Sequence, residues 1–373
     1  MNVNYIEFAV PFFFLFIAFE IIFSLITKKK LYRLNDAITS LSCGVTEQVI
    51  ESFLKTIGLA MYLYCYENFK ITEINTNSIF NWIICFFIVD LAYYIFHKSS
   101  HSINFIWATH IVHHQSEEYN LSTALRQSSF QNTISAFFFL PIAVMGFSVY
   151  MFLVCYQINL IYQFFVHTKT IKKMGFIEKF MNTPSHHRVH HAKNDIYIDK
   201  NFAGVFIIWD KMFNTFEEEI EEPTYGIVSP VKNFNPLWLN LSYWKDLIVF
   251  SIKTPKIKDK ILIWFKGPGA LKLESKDKKI EIENNFANQT KEKFDPSISQ
   301  YEKIYVLINF IIITIFSVKF LEIFNTLTFE NKMLYPFSIL FTLACVGLIL
   351  EKNKSAYKFE TVRIILLFAL FIN

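Results

Sequence analysis

Long unbroken apolar runs dominate the hydropathy pattern. "FAVPFFFLFIAFEIIFSLIT", Phe8 to Thr27, is 20 residues long, the length of helix that crosses a bilayer core. A signal peptide would have a shorter core, a basic start and a small-residue cleavage site. Here the charges, Lys28 to Lys30, follow the run. The run therefore predicts a retained transmembrane helix, with Glu20 turned into the bundle because a carboxylate facing lipid is costly. "SIFNWIICFFIVDLAYYIF", Ser78 to Phe96, predicts another span. Ile134 to Val166 is long enough for two, a helical hairpin broken around Pro141 to Gly146. A weaker run lies at Val49 to Tyr66, and three more at Ile304 to Val318, Met333 to Leu350 and Val362 to Ile372.

Between about Thr168 and Gln300 no run spans, and most of the Pro, Gly and charged residues collect there. This region should be aqueous or interfacial. Within it, Leu273 to Asp295 reads as a polar strap or flexible linker. The fold class is all-α, a polytopic membrane bundle with a histidine-rich cap. The chain divides into a histidine-bearing part, residues 1–300, and C-terminal membrane helices, residues 301–373. No internal repeat is visible.

Composition agrees with a chain solvated partly by lipid: 53% of residues are apolar and 43 are Phe. The net charge of +4 is too small to argue for nucleic acid, and no basic tract is interleaved with aromatics. The five cysteines are far apart, so a disulfide framework is not expected. Positive charge in short loops places Lys28 to Lys30 in the cytoplasm. Counting the weak second span, His97, His167 and the polar region then fall on that same face, and Lys352, Lys354 and Lys358 fit the parity.

All ten histidines lie between His97 and His191. "HKSSH" holds His97 and His101; "HIVHH" holds His110, His113 and His114; "HHRVHH" holds His186, His187, His190 and His191; His167 stands alone. Positions three and four apart share a helix face. Three such faces with His167 offer eight or nine ring nitrogens. One tetrahedral zinc needs four, so the set fits two metals with room for water or oxygen. Imidazole alone does not choose among Zn, Cu, Fe and Ni. The Glu-x-x-His pattern of soluble di-iron bundles is absent. The expected ligands are His97, His101, His110, His113, His114, His167, His187, His190 and His191. His186, off the shared face, is expected to orient a ligand or a carboxylate. A metal transporter is the competing class, but it would line a path through mid-bilayer, whereas these clusters sit at helix ends on one side.

The pattern HxxxH, HxxHH, HxxHH resembles the fatty acid hydroxylase/sterol desaturase superfamily of membrane di-iron enzymes. "DLAYYIFHKSSHSINFIWATHIVHHQSEEYNLSTALRQS" and "NTPSHHRVHHAKNDIYIDKNFAGVFIIWDKMFNTFE" resemble its alkylglycerol monooxygenase branch, over about Asp90 to Glu217. The resemblance implies two Fe ions, O2, and insertion of one oxygen into a lipid C–H bond. For that branch the carbon is next to an ether oxygen, the reductant is tetrahydrobiopterin, and a fatty aldehyde and a glycerol derivative are released. A hydroxylase or desaturase of a fatty acyl, sterol or carotenoid lipid, with another reductant, is the alternative within the superfamily. No fingerprint for NAD, flavin or haem is visible, so electrons come from a small reductant or an electron-donor partner. A bacterial inner membrane or an endoplasmic reticulum both suit the topology.

The resemblance implies a Glu after the second histidine of HxxxH; Ser102 stands there. Glu117 or Glu118 could substitute, but the favoured reading is solvated surface charge. Asp90 is expected to accept a histidine N–H or to make another polar contact inside the bundle. Asn120 and Arg126 match the branch motif, Arg126 as an ion-pair partner or as a contact to pterin or headgroup. Asp199 and Asn201 are candidates for supporting the ligands, within a segment, "IDKNFAGVFIIWDKMFNTF", expected to form a wall or lid.

Overall fold

The structure, a computed structural model, describes residues 5–270 and 292–372. The greater part of the predicted strap at 273–295 lies outside the described residues. No strand occurs among the described residues; two isolated bridges, Met181 to Phe206 and Ala192 to Tyr225, pair extended segments. The N-terminal helices are α1 (Tyr5–Thr27), α2 (Leu34–Phe69) and α3 (Ile79–Ser102). Three one-turn helices follow: α4 (Asn104–Trp107), α5 (Ile111–His114) and α6 (Leu121–Ala124). The hairpin is α7 (Gln131–Val144) and α8 (Val149–Val166). Next come α9 (Pro184–His190), α10 (Ile208–Met212), α11 (Pro236–Lys253) and α12 (Ile257–Phe265). The chain closes with α13 (Gln300–Ile323), α14 (Phe329–Leu350) and α15 (Ala356–Ile372).

Five segments are long and apolar enough to cross a membrane: Ala9–Thr27, Ile79–Ser102, Val149–Val166, Gln300–Thr326 and Phe329–Leu350. The chain is an integral membrane protein. The hairpin breaks within the expected 141–146 stretch, with Pro141 inside the last turns of α7, but its first arm, Gln131–Val144, is 14 residues long and is not among the five spans. The turn is made at Gly146, where φ is +98° and a Cβ would lie 1.9 Å from the Thr72 carbonyl oxygen.

The weak run at 49–66 is the second half of α2. At 1.5 Å per residue, the 36 residues of this helix reach about 54 Å. Its first half is polar yet buried, with Asn35, Asp36, Thr39, Ser40, Thr46 and Glu47 facing inward, which is why hydropathy understates the helix. α7 lies along α2, α3 packs on α7 and α8, and α13 and α14 pack on α2. Ile38 and Val49 of α2 share one apolar cluster with Val306, Phe310 and Leu343. Glu20 is buried in the bundle, where it accepts hydrogen bonds from the Tyr32 hydroxyl (2.5 Å), the Leu121 N–H (2.8 Å) and the Thr168 hydroxyl.

Candidate metal centre

The last two turns of α3 carry His97 and His101. His110 precedes α5, whose end carries His113 and His114, and His167 follows α8. α9 carries His187 and His190, with His191 at its C-cap. Pro184 opens this helix, where a missing N–H costs nothing. Arg188 fixes it in place: its guanidinium donates to both carboxylate oxygens of Glu219 (2.7 and 2.6 Å) and to the carbonyls of Thr168 and Ile171.

The nine imidazoles converge in two groups. One holds His97, His101, His110, His114 and His190; the other holds His113, His167, His187 and His191. Within each, one ring nitrogen per residue lies within 4.8 Å of every other. The i, i+4 and i, i+3 positions divide differently between the groups. Each i, i+4 pair (97/101, 110/114, 187/191) serves one group, and the remaining member of each triplet, His113 or His190, crosses to the other. α5 and α9 thus bridge both groups.

Hydrogen bonds fix which nitrogen of five rings faces inward. The Nδ1 atoms of His97, His113, His167 and His190 contact the carbonyl oxygens of Phe202 (2.8 Å), Arg126 (3.0 Å), Gln163 (2.7 Å) and Lys200 (2.9 Å). His110 Nδ1 contacts the amide oxygen of Gln131 at 2.7 Å. These oxygens only accept, so each Nδ1 carries the proton and each Nε2 keeps a bare lone pair. Yet His97 Nε2 lies 3.1 Å from His110 Nε2, and His113 Nε2 lies 3.1 Å from His167 Nε2. No proton is present to join either pair. A cation between them removes the conflict: with metal–nitrogen bonds of about 2.1 Å, two ligands at a right angle stand about 3.0 Å apart. The buried Nε2 atoms of His101, His190 and His191 likewise find no protein partner. The residues fit two metal ions.

Burial and crowding keep the rings neutral, the form that binds metal. Burial pushes His110 down to about 4 and His190 to about 3. Burial first, then neighbouring imidazoles, hold His113, His114, His187 and His191 well below the usual histidine value.

Aromatic rings close the sides. Phe202 stands edge-on to His97, His101 and His190, Trp107 packs against His101 and His114, and Tyr119 stacks on His167. The segment after Asp199 therefore forms a wall, anchored at Asp90. That carboxylate accepts from the Val205 and Phe206 N–H groups, Trp209 Nε1 and Asn159 Nδ2, at 2.7–3.0 Å. Among the described residues Asp90 makes no hydrogen bond to a histidine; of its two expected roles, the structure has the polar contact inside the bundle.

The other expected supports are placed as follows. Asp199 Oδ1 lies 3.5 Å from His101 Nδ1. Asn201 ties its loop to the His186 carbonyl (3.1 Å) and to both backbone groups of Glu217. His186 joins neither histidine group, and its ring packs against Phe216. Asn120 caps α6 and donates to the Leu31 carbonyl. Arg126 supports His113 through its backbone carbonyl. Its guanidinium donates to the Val112 carbonyl (2.8 Å) and reaches the Ser40 hydroxyl (3.4 Å), in place of the expected ion pair. Glu118 corrects the surface reading: it is buried and pairs with Arg33 (2.5 Å) and Lys293 (2.7 Å). Ser102 is exposed and bonds the Lys98 carbonyl, outside both groups. Gln131 and Tyr119 gave no signal in sequence, because a single Gln or Tyr has no spacing to betray it, and Gln163 acts through a backbone carbonyl that any residue carries.

A membrane helical bundle with nine buried imidazoles in two groups defines a histidine-rich metalloenzyme class. The fatty acid hydroxylase family profile matches residues 82–215. The chain is 37% identical to alkylglycerol monooxygenase of Homo sapiens over 99% of its own length and 82% of that protein. For the Xenopus tropicalis and Danio rerio alkylglycerol monooxygenases the identities are 36% and 34%, over 97% and 98% of this chain and 81% and 82% of theirs. No solved structure matches. The chain belongs to the alkylglycerol monooxygenase family within the fatty acid hydroxylases, and this makes it a lipid monooxygenase.

Proposed function

We propose that this enzyme cleaves the ether bond of alkylglycerol lipids, using two Fe ions, O2 and tetrahydrobiopterin. The observation that carries the reading is the pair of imidazole groups with facing lone pairs, in a chain related over nearly all its length to alkylglycerol monooxygenases. His97, His101, His110, His114 and His190 would hold one ion, and His113, His167, His187 and His191 the other. Iron bound there supplies O2 activation and transfer of one oxygen atom.

The remaining work falls to protein groups. Carbonyls of Phe202, Arg126, Gln163 and Lys200, with the Gln131 amide, hold the Nδ1 protons and orient the rings. Asp199 places its carboxylate 3.5 Å from His101 Nδ1, and Asn201 and Asp90 brace the wall that carries Phe202. Phe202, Trp107 and Tyr119 exclude water from the reacting carbon. In the balanced reaction, one atom of O2 enters the ether CH2 as a hydroxyl. The other would leave as water, with two electrons and two protons supplied by the reductant. The hemiacetal carbon then loses its ether oxygen, giving a fatty aldehyde and a free glycerol hydroxyl.

Residues 1–300 would form the catalytic part, and residues 301–373 its added membrane helices. Lys28 to Lys30 and Lys352, Lys354 and Lys358 favour a cytoplasmic face for the histidines. The exposed Ser102 side chain, outside both groups, supports full competence without a Glu there. The test is aldehyde release from an alkylglycerol by membranes containing the protein, with and without tetrahydrobiopterin, beside a His187→Ala control. Pterin-dependent aldehyde, abolished in the control, is expected. No aldehyde from an iron-loaded preparation would leave a hydroxylase or desaturase of another lipid.

A further inference from the structure

The hairpin α11–α12 belongs to neither the metal centre nor the long membrane spans. It is nevertheless fixed at both ends to the ends of spans. At its start, the Phe234 and Asn235 N–H groups donate to Glu351 (2.6 and 3.0 Å), the residue after α14. At its finish, the Asn104 N–H donates to the Lys266 carbonyl (2.8 Å) and Asn104 Nδ2 to the Ile263 carbonyl (2.8 Å). Asn104 lies two residues beyond the end of the span Ile79–Ser102. Gly267 closes the contact, since a Cβ there would meet the Ser102 carbonyl oxygen at 3.3 Å. These tethers put the hairpin at the depth where spanning helices leave the bilayer.

What it presents there is amphipathic. Ile257, Ile261, Trp264 and Phe265 recur at i, i+4, i+7 and i+8, one helical face. Ile252, Ile257, Ile261 and Phe265 are each 56–75% exposed, and α12 has no buried residue. Between residues 253 and 266 stand five lysines, Lys253, Lys256, Lys258, Lys260 and Lys266, against one acidic residue, Asp259. None of these lysines is in an ion pair among the described residues. Three of the six tryptophans, Trp238, Trp244 and Trp264, lie on this hairpin, the residue that prefers the bilayer interface.

We propose that α11–α12 lies in the membrane interface and binds anionic phospholipid headgroups, with the apolar face of α12 among acyl chains and the lysines on the phosphates. Lysine stems reach outward past an inserted apolar face, so both features act at once. An acidic protein partner would use the lysines but leave the bare isoleucines and Phe265 in water, which favours lipid.

The test uses full-length protein carrying Ile261→Cys with Cys65→Ser, labelled at residue 261 with an environment-sensitive fluorophore. Cys43, Cys85, Cys155 and Cys345 are buried. Nanodiscs are made of phosphatidylcholine alone or with a third phosphatidylglycerol, with nitroxide-bearing lipid as quencher. The expected result is a blue-shifted label, quenched more strongly with phosphatidylglycerol. Lys256→Glu/Lys258→Glu/Lys260→Glu should lose about half of that quenching. A label that stays in water in both lipids overturns the proposal. So does quenching indifferent to phosphatidylglycerol and to charge reversal, or shielding that appears only with added acidic protein or a second copy per disc. The readout needs no turnover, so it stands or falls apart from the ether-lipid reading.

Discussion

At the residue scale, the centre depends on which nitrogen of each imidazole is protonated. The i, i+4 spacing of the histidines is plain in the sequence, because helical periodicity writes itself into chain positions. The acceptors that set the tautomers are not, since four are backbone carbonyls and the fifth, Gln131, is 21 residues from its partner His110. Gln131→Leu removes that acceptor while keeping bulk. It should lower metal affinity or activity by about 10–100-fold, as loss of such supporting contacts does elsewhere, and titration with Fe(II) checks it. Ser102→Glu should change activity less than twofold, because residue 102 is exposed and outside both groups. A large gain from that substitution would mean that a carboxylate at 102 reaches the metals.

At the element scale, the wall between Lys200 and Trp209 carries two of the five tautomer-setting carbonyls, and it hangs on Asp90. Asp90 and the N–H groups it holds are more than 110 residues apart, so the sequence could nominate Asp90 but not its partner. Asp90→Asn sets an amide against buried donors and should cost about 2–4 kcal/mol. Gly204→Ala should act on the same joint, since a Cβ there falls 2.8 Å from Asp90 Oδ1 and 2.9 Å from Tyr93 Cδ1. Thermal unfolding in detergent checks both, with reduced metal content as the companion readout. Helix α2 shows the opposite failure of sequence reading. Its buried polar half hides it from hydropathy, because a polar side chain facing protein inside a bundle resembles one facing water.

At the scale of the whole molecule, apolar run length and the histidine clusters were enough to predict a helical membrane protein with a metal centre. They could not give the partition into five and four, because that depends on α5 and α9 standing between the two groups. Metals held between α3, α5, α8 and α9 would join elements distant in the chain. Metal that binds only the folded state adds about 2.7 kcal/mol at one hundred times its dissociation constant. Chelation should therefore lower the midpoint of thermal unfolding by several degrees, and re-addition of Fe(II) should restore it.

Each of the two histidine groups would hold its own ion. Elemental analysis of purified protein, alongside His190→Ala and His191→Ala, tests this most directly. The two substitutions fall on adjacent residues but in different groups. The wild type should hold about two irons per chain, and each single variant about one, with His190→Ala/His191→Ala losing most of both. One iron per chain in the wild type, or unchanged iron in both single variants, would mean that the two groups do not each hold an ion.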